Sequence, residues 1–320
     1  MQPTHTDVHN DKILTNLLLA YSFTDVIWPE VAGIVPTNGR ESDKFYVFDK
    51  KHALSKDASV IAPGDPAPIR GFTVSTDDYT TNEYAISTFI ADRTIKNADA
   101  PLKQQLRNAA AAACMDDIQR LMEYDCAAAF FTTEVWDTDI TGHASTDDAT
   151  NDIQWSDPDS STPIDNVIDG KDTIQTNAGR SPNRMVIGQQ VWNELQRNPE
   201  ILICLGAQER GFVTIDMLAQ FLELDKVLVG KAVYNSANIG QDVSISRIWG
   251  KHALLYYYNP APAMMSPAAC YTFQAQPVQV RRWREDNSMH RKVEFVEASI
   301  IQGYEVTGTD LGYFWSGIVA

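Results

Sequence analysis

Apolar and polar positions first fall into a regular pattern at "KFYVFDK" (44–50). Phe45, Val47 and Asp49 alternate there with Tyr46, Phe48 and Lys50, and β-branched and aromatic alternation of this kind predicts a strand. A second strand pattern, "GFTVSTDDYTTNEYAISTFI", starts at Gly71. Between them, "KKHALSKDASVIAPGDPAPIR" carries three prolines and scattered charge and has no apolar core of its own. Such a segment projects and packs on something else. The clearest element is helical. Asp99 and Pro101 are suited to a helix start, and Leu102, Leu106, Ala110, Ala113, Ile118, Leu121, Met122, Cys126 and Phe130 then recur at helical spacing. This predicts a strut from Asp99 to Phe131, roughly 50 Å long at the rise of an α-helix. The run "NAAAAAC" in its middle leaves a slim face where another backbone can lie close.

Upstream, residues 1 to 40 show little periodicity beyond "ILTNLLLAY", and the prolines of "WPEVAGIVP" disfavour regular structure, so an extended arm with one short helix is expected. Downstream, residues 137 to 183 read as a polar, acidic stretch. "RMVIG" follows as a buried strand, and "QQVWNELQRNPEILICLG" as two short helices joined at Asn198 and Pro199. "VTIDMLAQFLELDKVLVGKAVYN" predicts helix then strand, and "SRIWGKHALLYYYNPAP" strand then turn. No internal repeat is visible.

The last pattern is "VQVRRWREDNSMHRKVEFVEA", 278–298, which folds naturally into a long hairpin. Centred on Ser288, it sets Glu285 opposite Arg291, Trp283 opposite Val293, Arg282 opposite Glu294 and Val280 opposite Val296. Cross-strand pairs of these kinds contribute roughly 0.2–1 kcal/mol each. One pair, Arg284 against Lys292, is like-charged in this register. Arg281 and Arg284 are thereby left as candidates for contact with a neighbouring subunit.

Composition narrows the classes. The 320 residues carry a formal net charge of −16 and a pI near 4.7. That argues against phosphate-backbone binding as the main task, since such affinity comes from clustered Lys and Arg. The sequence "MQPTHTDVHNDK" resembles neither a signal nor a transit peptide, and no apolar run near it is long enough to span a bilayer. Cys114, Cys126, Cys204 and Cys270 have no CxxC spacing, so four reduced cysteines in a cytoplasmic setting are expected.

Chemical motifs are weak. There is no GxSxG elbow, and the six histidines are scattered. "DGKDT" (169–173) lacks the glycine-rich loop that aims backbone N–H groups at phosphate, and reads as a turn. In "DTDITGHASTDD", Asp137, Asp139 and Asp148 fall on positions 1, 3 and 12 of an EF-hand-like loop, with Thr141 and Gly142 between. An aspartate replaces the usual bidentate glutamate and helical flanks are not expected, so a solvated acidic loop is the better reading, with these aspartates as weak metal candidates. A calcium-dependent adhesin built on that loop is the alternative function; a hydrolase assembled from distant residues is a further one.

The order of elements resembles the major capsid proteins of tailed bacteriophages. "IWPEV", "KFYVFDKKHAL" and "APGDPAP" look like that family's arm and extended loop. "SPNRMVIGQQVWNELQRNPEI" carries its Pro-Asn and Trp-x-x-Leu-x-x-x-Pro pattern at Pro182, Asn183, Trp192, Leu195 and Pro199. "KVLVGKAVYNSA", "IWGKHALLYYYNPAP" and "GYEVTGTDLGYFWSGIV" look like its late segments. The resemblance implies an α+β, Hong Kong 97-type fold: an N-terminal arm (1–43), an extended β-hairpin loop with flanking strands (44–98), a peripheral domain with a long spine helix (99–189), an axial domain (190–270), and a return to the peripheral domain (271–320). It implies a structural, non-enzymatic subunit without cofactor, forming hexamers and pentamers of an icosahedral virion shell that is assembled in the host cytoplasm around double-stranded DNA contacted only weakly. It also implies a portal, a separate scaffolding protein, since no long segment precedes the arm, and room for a decoration protein. Some members cross-link through a loop lysine. Lys50, Lys51 and Lys56 are present here without an identifiable acceptor, so no cross-link is predicted. Lys50, Lys51 and Arg70 join Arg281 and Arg284 as candidate subunit contacts.

Overall fold

The computed structural model describes residues 9–10, 26–48, 54–69, 74–97, 100–145, 150–204, 213–238, 240–263, 266–287 and 291–320. In chain order the elements begin with β1 (His9–Asn10), α1 (Trp28–Val31), β2 (Gly33–Pro36), β3 (Ser42–Phe48), β4 (Val74–Thr80), β5 (Asn82–Ala91), α2 (Asp92–Asn97) and α3 (Ala100–Phe130). The middle of the chain supplies β6 (Thr138–His143), β7 (Asn151–Ile153), α4 (Pro163–Ala178), β8 (Arg184–Gly188), α5 (Gln189–Leu195), α6 (Pro199–Cys204) and α7 (Ile215–Phe221). It closes with β9 (Lys226–Gly230), β10 (Val233–Asn235), β11 (Ile245–Arg247), β12 (Ala253–Tyr256), β13 (Cys270–Asn287), β14 (Arg291–Val306), a 3₁₀ turn (Thr309–Leu311) and β15 (Gly312–Ser316).

Helix α3 is the strut, 31 residues and about 46 Å long. It lies on a sheet ordered β1-β13-β14-β5, with β2 parallel to β13. Its small residues do what the sequence implied. Ala111 and Cys114 are buried with Val296 and Ala298 of β14, and the Cys114 thiol reaches the Val296 carbonyl at 3.7 Å.

A second sheet has the order β7-β6-β15-β12-β8-β9 and is covered on both faces. Met185, Ile187, Ala253, Leu255, Tyr313 and Trp315 face one core, which α4, α5 and α7 also line through Val167, Val191 and Leu218. Val186, Leu254 and Phe314 face the other, where Phe130 and Phe131 at the end of the strut pack. Burial on both faces is why "RMVIG" and "ALLY" are continuous apolar runs without alternation.

The hairpin β3–β4 stands on a small third core of Val35, Phe45, Tyr79 and Phe273, with the Tyr79 and Phe273 rings stacked 4.2 Å apart. Where it leaves the body, the Thr80 carbonyl lies against Gly303; a Cβ there would sit 2.1 Å from that oxygen. Gly303→Ala is therefore expected to lower subunit stability by roughly 1–3 kcal/mol, the usual range for forced overpacking, read as a fall in the urea midpoint at unchanged slope.

Three readings need correction. "WPEVAGIVP" is not irregular: Pro29 sits in the first turn of α1, where its missing N–H costs nothing, and Pro36 only ends β2. The acidic stretch 137–183 contains β6, β7 and the 16-residue helix α4, and "DGKDT" (169–173), which reads as a turn, lies inside that helix. Its apolar stripe of Ile164, Val167 and Ile174 is sparse and interrupted by aspartates, and tertiary packing rather than composition decides it. Finally, the long hairpin pairs Arg282 with Val296, Trp283 with Phe295, Arg284 with Glu294 and Glu285 with Val293. Its centre lies one residue later than Ser288, which moves every partner by two. Faces are preserved, because side chains repeat every second residue. The shift also removes the like-charged pair, since Lys292 now opposes Asp286.

Candidate assembly surface

The arm joins the body at a buried carboxylate. Ile27 holds the cap position of α1 but has no side-chain oxygen to offer its N–H groups. Glu123, far along α3, supplies one: its carboxylate accepts from the N–H of Ile27 at 3.0 Å and of Trp28 at 2.8 Å, and from Trp249 Nε1 at 2.5 Å. Burial pushes this carboxyl up to about 7, against the opposing pull of those three donors. The Trp28 indole donates to Gln119 Oε1 at 2.8 Å, and the Tyr256 hydroxyl to the Val31 carbonyl at 2.7 Å. Outside this buried set, Lys226 pairs with Glu30, and Arg184 donates to the Glu30 carbonyl. One short segment thus ties the arm to the strut and to the second sheet.

The charged hairpin is answered mainly from within the subunit. Glu294, nearly buried, takes a two-bond fork from Arg107 of α3, Nε and Nη2 each at 2.8 Å, and lies 3.4 Å from Arg282 Nε. The expected Arg282–Glu294 pair therefore exists, as a diagonal contact. Arg284 forms an ion pair with the buried Asp92, which Lys96 also approaches at 3.8 Å; the expectation that Arg284 is free is corrected. Arg281 stands opposite Glu297 and offsets the upward push that burial gives that carboxyl. Asp92 and Arg107 escaped the sequence reading. Asp92 follows a strand and Arg107 sits on a helix far away in the chain, and no local spacing connects either to the hairpin.

The described part of the acidic motif runs largely as strand β6. Asp139 lies within strand β6 and accepts from the Glu134 N–H, while Asp137 accepts from the Thr309 hydroxyl at 2.7 Å. Asp148 lies outside the described residues, as do Lys50, Lys51 and Arg70. Among the described residues no group of three or more His, Cys, Asp or Glu could hold a metal. All four cysteines are free, and only Cys204 is exposed. Of the histidines, His252 is held in place: its Nδ1 accepts from the Gly317 N–H at 3.1 Å, its ring stacks on Phe314, and burial lowers its basicity. A cleft of about 550 Å³ lies at the foot of the β3–β4 hairpin, between Phe45, Asp77, Arg180, Tyr271 and Thr307.

Between β3 and β4 the described residues are largely exposed. Residues 56–69 are exposed throughout, including Val60, Ile61 and Ile69, while Leu54 touches the C-terminal glycine of α4, Gly179. No helix among the described residues is long and apolar enough to cross a membrane.

No family model matches the chain. It is 25% identical to the major capsid protein of Burkholderia phage BcepMu over an alignment of 327 residues, which covers 96% of each protein. The chain is a relative of phage major capsid proteins. Among solved structures, a phage-related protein from Bordetella bronchiseptica matches 97% of this chain and 98% of its own with a TM-score of 0.73 at 20% identity. The capsid of Cyanophage P-SCSP1u matches 92% of this chain and 89% of its own with a TM-score of 0.56 at 12% identity. At such identities these likenesses carry the fold, which is the α+β, Hong Kong 97-type capsid fold. In its terms α3 is the spine helix, the β3–β4 hairpin is the stem of the extended loop, and the buried Glu123 joins arm to spine.

Proposed function

We propose that this chain is the shell subunit of a phage head, assembling with its own copies into hexamers and pentamers that enclose double-stranded DNA. The observation that carries this reading is the kinship over 96% of the chain with a major capsid protein, together with a projecting loop whose apolar side chains have no core in their own subunit. Val60 and Ile69 lie fully in water in the isolated subunit, and packing of the loop on a neighbour would bury them. In this reading segments 1–43 and 44–98 reach across to neighbours, 99–189 and 271–320 form the peripheral body, and 190–270 points at the capsomer centre. A portal, a scaffolding protein and a decoration protein are the expected further partners. The net charge of −16 suits a wall that must not hold packed DNA tightly.

Replacing residues 51–70 by a short Gly-Ser linker tests it. The expected result is loss of shell assembly, seen by sedimentation, with the melting temperature of the isolated subunit unchanged. Shells of normal yield from that variant would remove the loop's role as a clasp.

A further inference from the structure

Strand β5 (Asn82–Ala91) is the outermost strand of the first sheet: it pairs with β14 on one side, and no strand among the described residues pairs with its other edge. The opposite flank of the sheet is guarded. There β2 pairs with the start of β13, β1 pairs with its Arg281 and Arg282, and the register of β13 shifts twice between Gln274 and Gln279, around Pro277. Natural sheets blunt their edges with proline, lysine, a bulge or a short strand, because outward N–H and C=O groups are a template for another chain. β5 has none of these. It runs for ten residues, its register with β14 is unbroken from Asn82 to Ala91, and "NEYAISTFIA" holds no proline or lysine and one charge, Glu83, near its start. Tyr84 and Ile86 pack on the core beneath the spine helix, whereas Glu83, Ala85, Ser87 and Phe89 take the other face and are exposed.

We propose that β5 pairs antiparallel with β5 of a second copy of the chain, across a two-fold axis at Ser87, so that two sheets become one. A two-fold contact requires a patch that complements itself. About Ser87 this strand does so: Ser87 stands opposite its own copy, Ala85 opposite Phe89, Ile86 opposite Thr88, Tyr84 opposite Ile90 and Glu83 opposite Ala91. Partners in this register share parity, so the helix-covered side of one sheet continues into the helix-covered side of the other. The small Ala85 leaves room for the Phe89 ring, and no two like charges meet. Centring on Ile86 gives a ladder of equal length but sets the Glu83 carboxylate against the Phe89 ring, whose negative face repels it. The contact asks nothing of the extended loop and so stands apart from the shell reading.

The test uses a Cys204→Ser background, which removes the exposed native thiol. Ser87→Cys is oxidised with diamide and run on a non-reducing gel, with Glu83→Cys, exposed on the same face, as the control. Directly opposite Cα atoms of a ladder lie about 4.5–5.5 Å apart, within disulfide reach, whereas the two copies of residue 83 are separated by roughly 27 Å of strand. The expected result is a covalent dimer from Ser87→Cys and none from Glu83→Cys. Separately, sedimentation velocity over a concentration series should show the wild type dimerising. Ser87→Lys and Ser87→Asp, which each set like charges face to face, should weaken that about tenfold, and mixing the two variants should restore it. Ser87 is exposed, so neither substitution should move the melting temperature; should one do so, the cysteine variants decide alone. No dimer from Ser87→Cys, equal dimer from both cysteine positions, a wild type that stays monomeric, or a mixture no stronger than its parts would overturn the proposal. Uniform shells alongside any of these outcomes would leave the capsid reading standing without this joint.

Discussion

Glu123→Ala should destabilise the subunit by roughly 3–5 kcal/mol, a range typical of removing one side of a buried charged network. Three N–H groups lose their acceptor at once, and two of them, from Ile27 and Trp28, begin a helix with no other cap. Because burial raises this carboxyl from 4.5 to about 7, the native state holds its proton more tightly than the unfolded chain does. Stability from this group is accordingly full below the unfolded value and is lost as pH rises through 7. The displacement is worth roughly 3 kcal/mol in total. Glu123→Gln has no such proton, so urea unfolding at pH 5 and pH 8 should show the wild type losing more stability than this variant over the interval. Parallel losses would mean that the carboxyl titrates normally.

Glu294→Ala is expected to cost roughly 2–4 kcal/mol, because it strips the Arg107 fork of its acceptor in a site that is nearly closed to water. A double-mutant cycle should show strong coupling of Glu294 with Arg107, on the order of 1.5–3 kcal/mol for a charge-assisted fork, and below about 1 kcal/mol with the more exposed, diagonal Arg282. Equal couplings would contradict the geometry. Arg284→Glu belongs with this set. From sequence alone it should leave the subunit's melting unchanged, yet in the structure it sets a carboxylate beside the buried Asp92 and should lower stability.

Local periodicity made most elements legible. The strut, β3, β8, the paired short helices and the long hairpin each announce themselves within one stretch of sequence, and the alanine run foretold the close approach of β14. The hairpin shows where that stops. Alternation fixes which face a residue takes, but a register displaced by two leaves every face unchanged and every partner different, so Arg284 moved from Lys292 to Glu294 without any local sign. Helix α4 was hidden for a related reason: aspartates and threonines dominate its exposed side, and the core that rewards Ile164, Val167 and Ile174 comes from strands elsewhere in the chain. Asp92, Arg107 and Glu123 gain their meaning from partners roughly a hundred residues or more away, a relation that only the fold creates.

Electron microscopy of the purified protein under assembly conditions tests the central claim most directly. A capsid subunit should give closed shells of uniform diameter built from hexameric and pentameric units; a monodisperse monomer under every condition tried would contradict it.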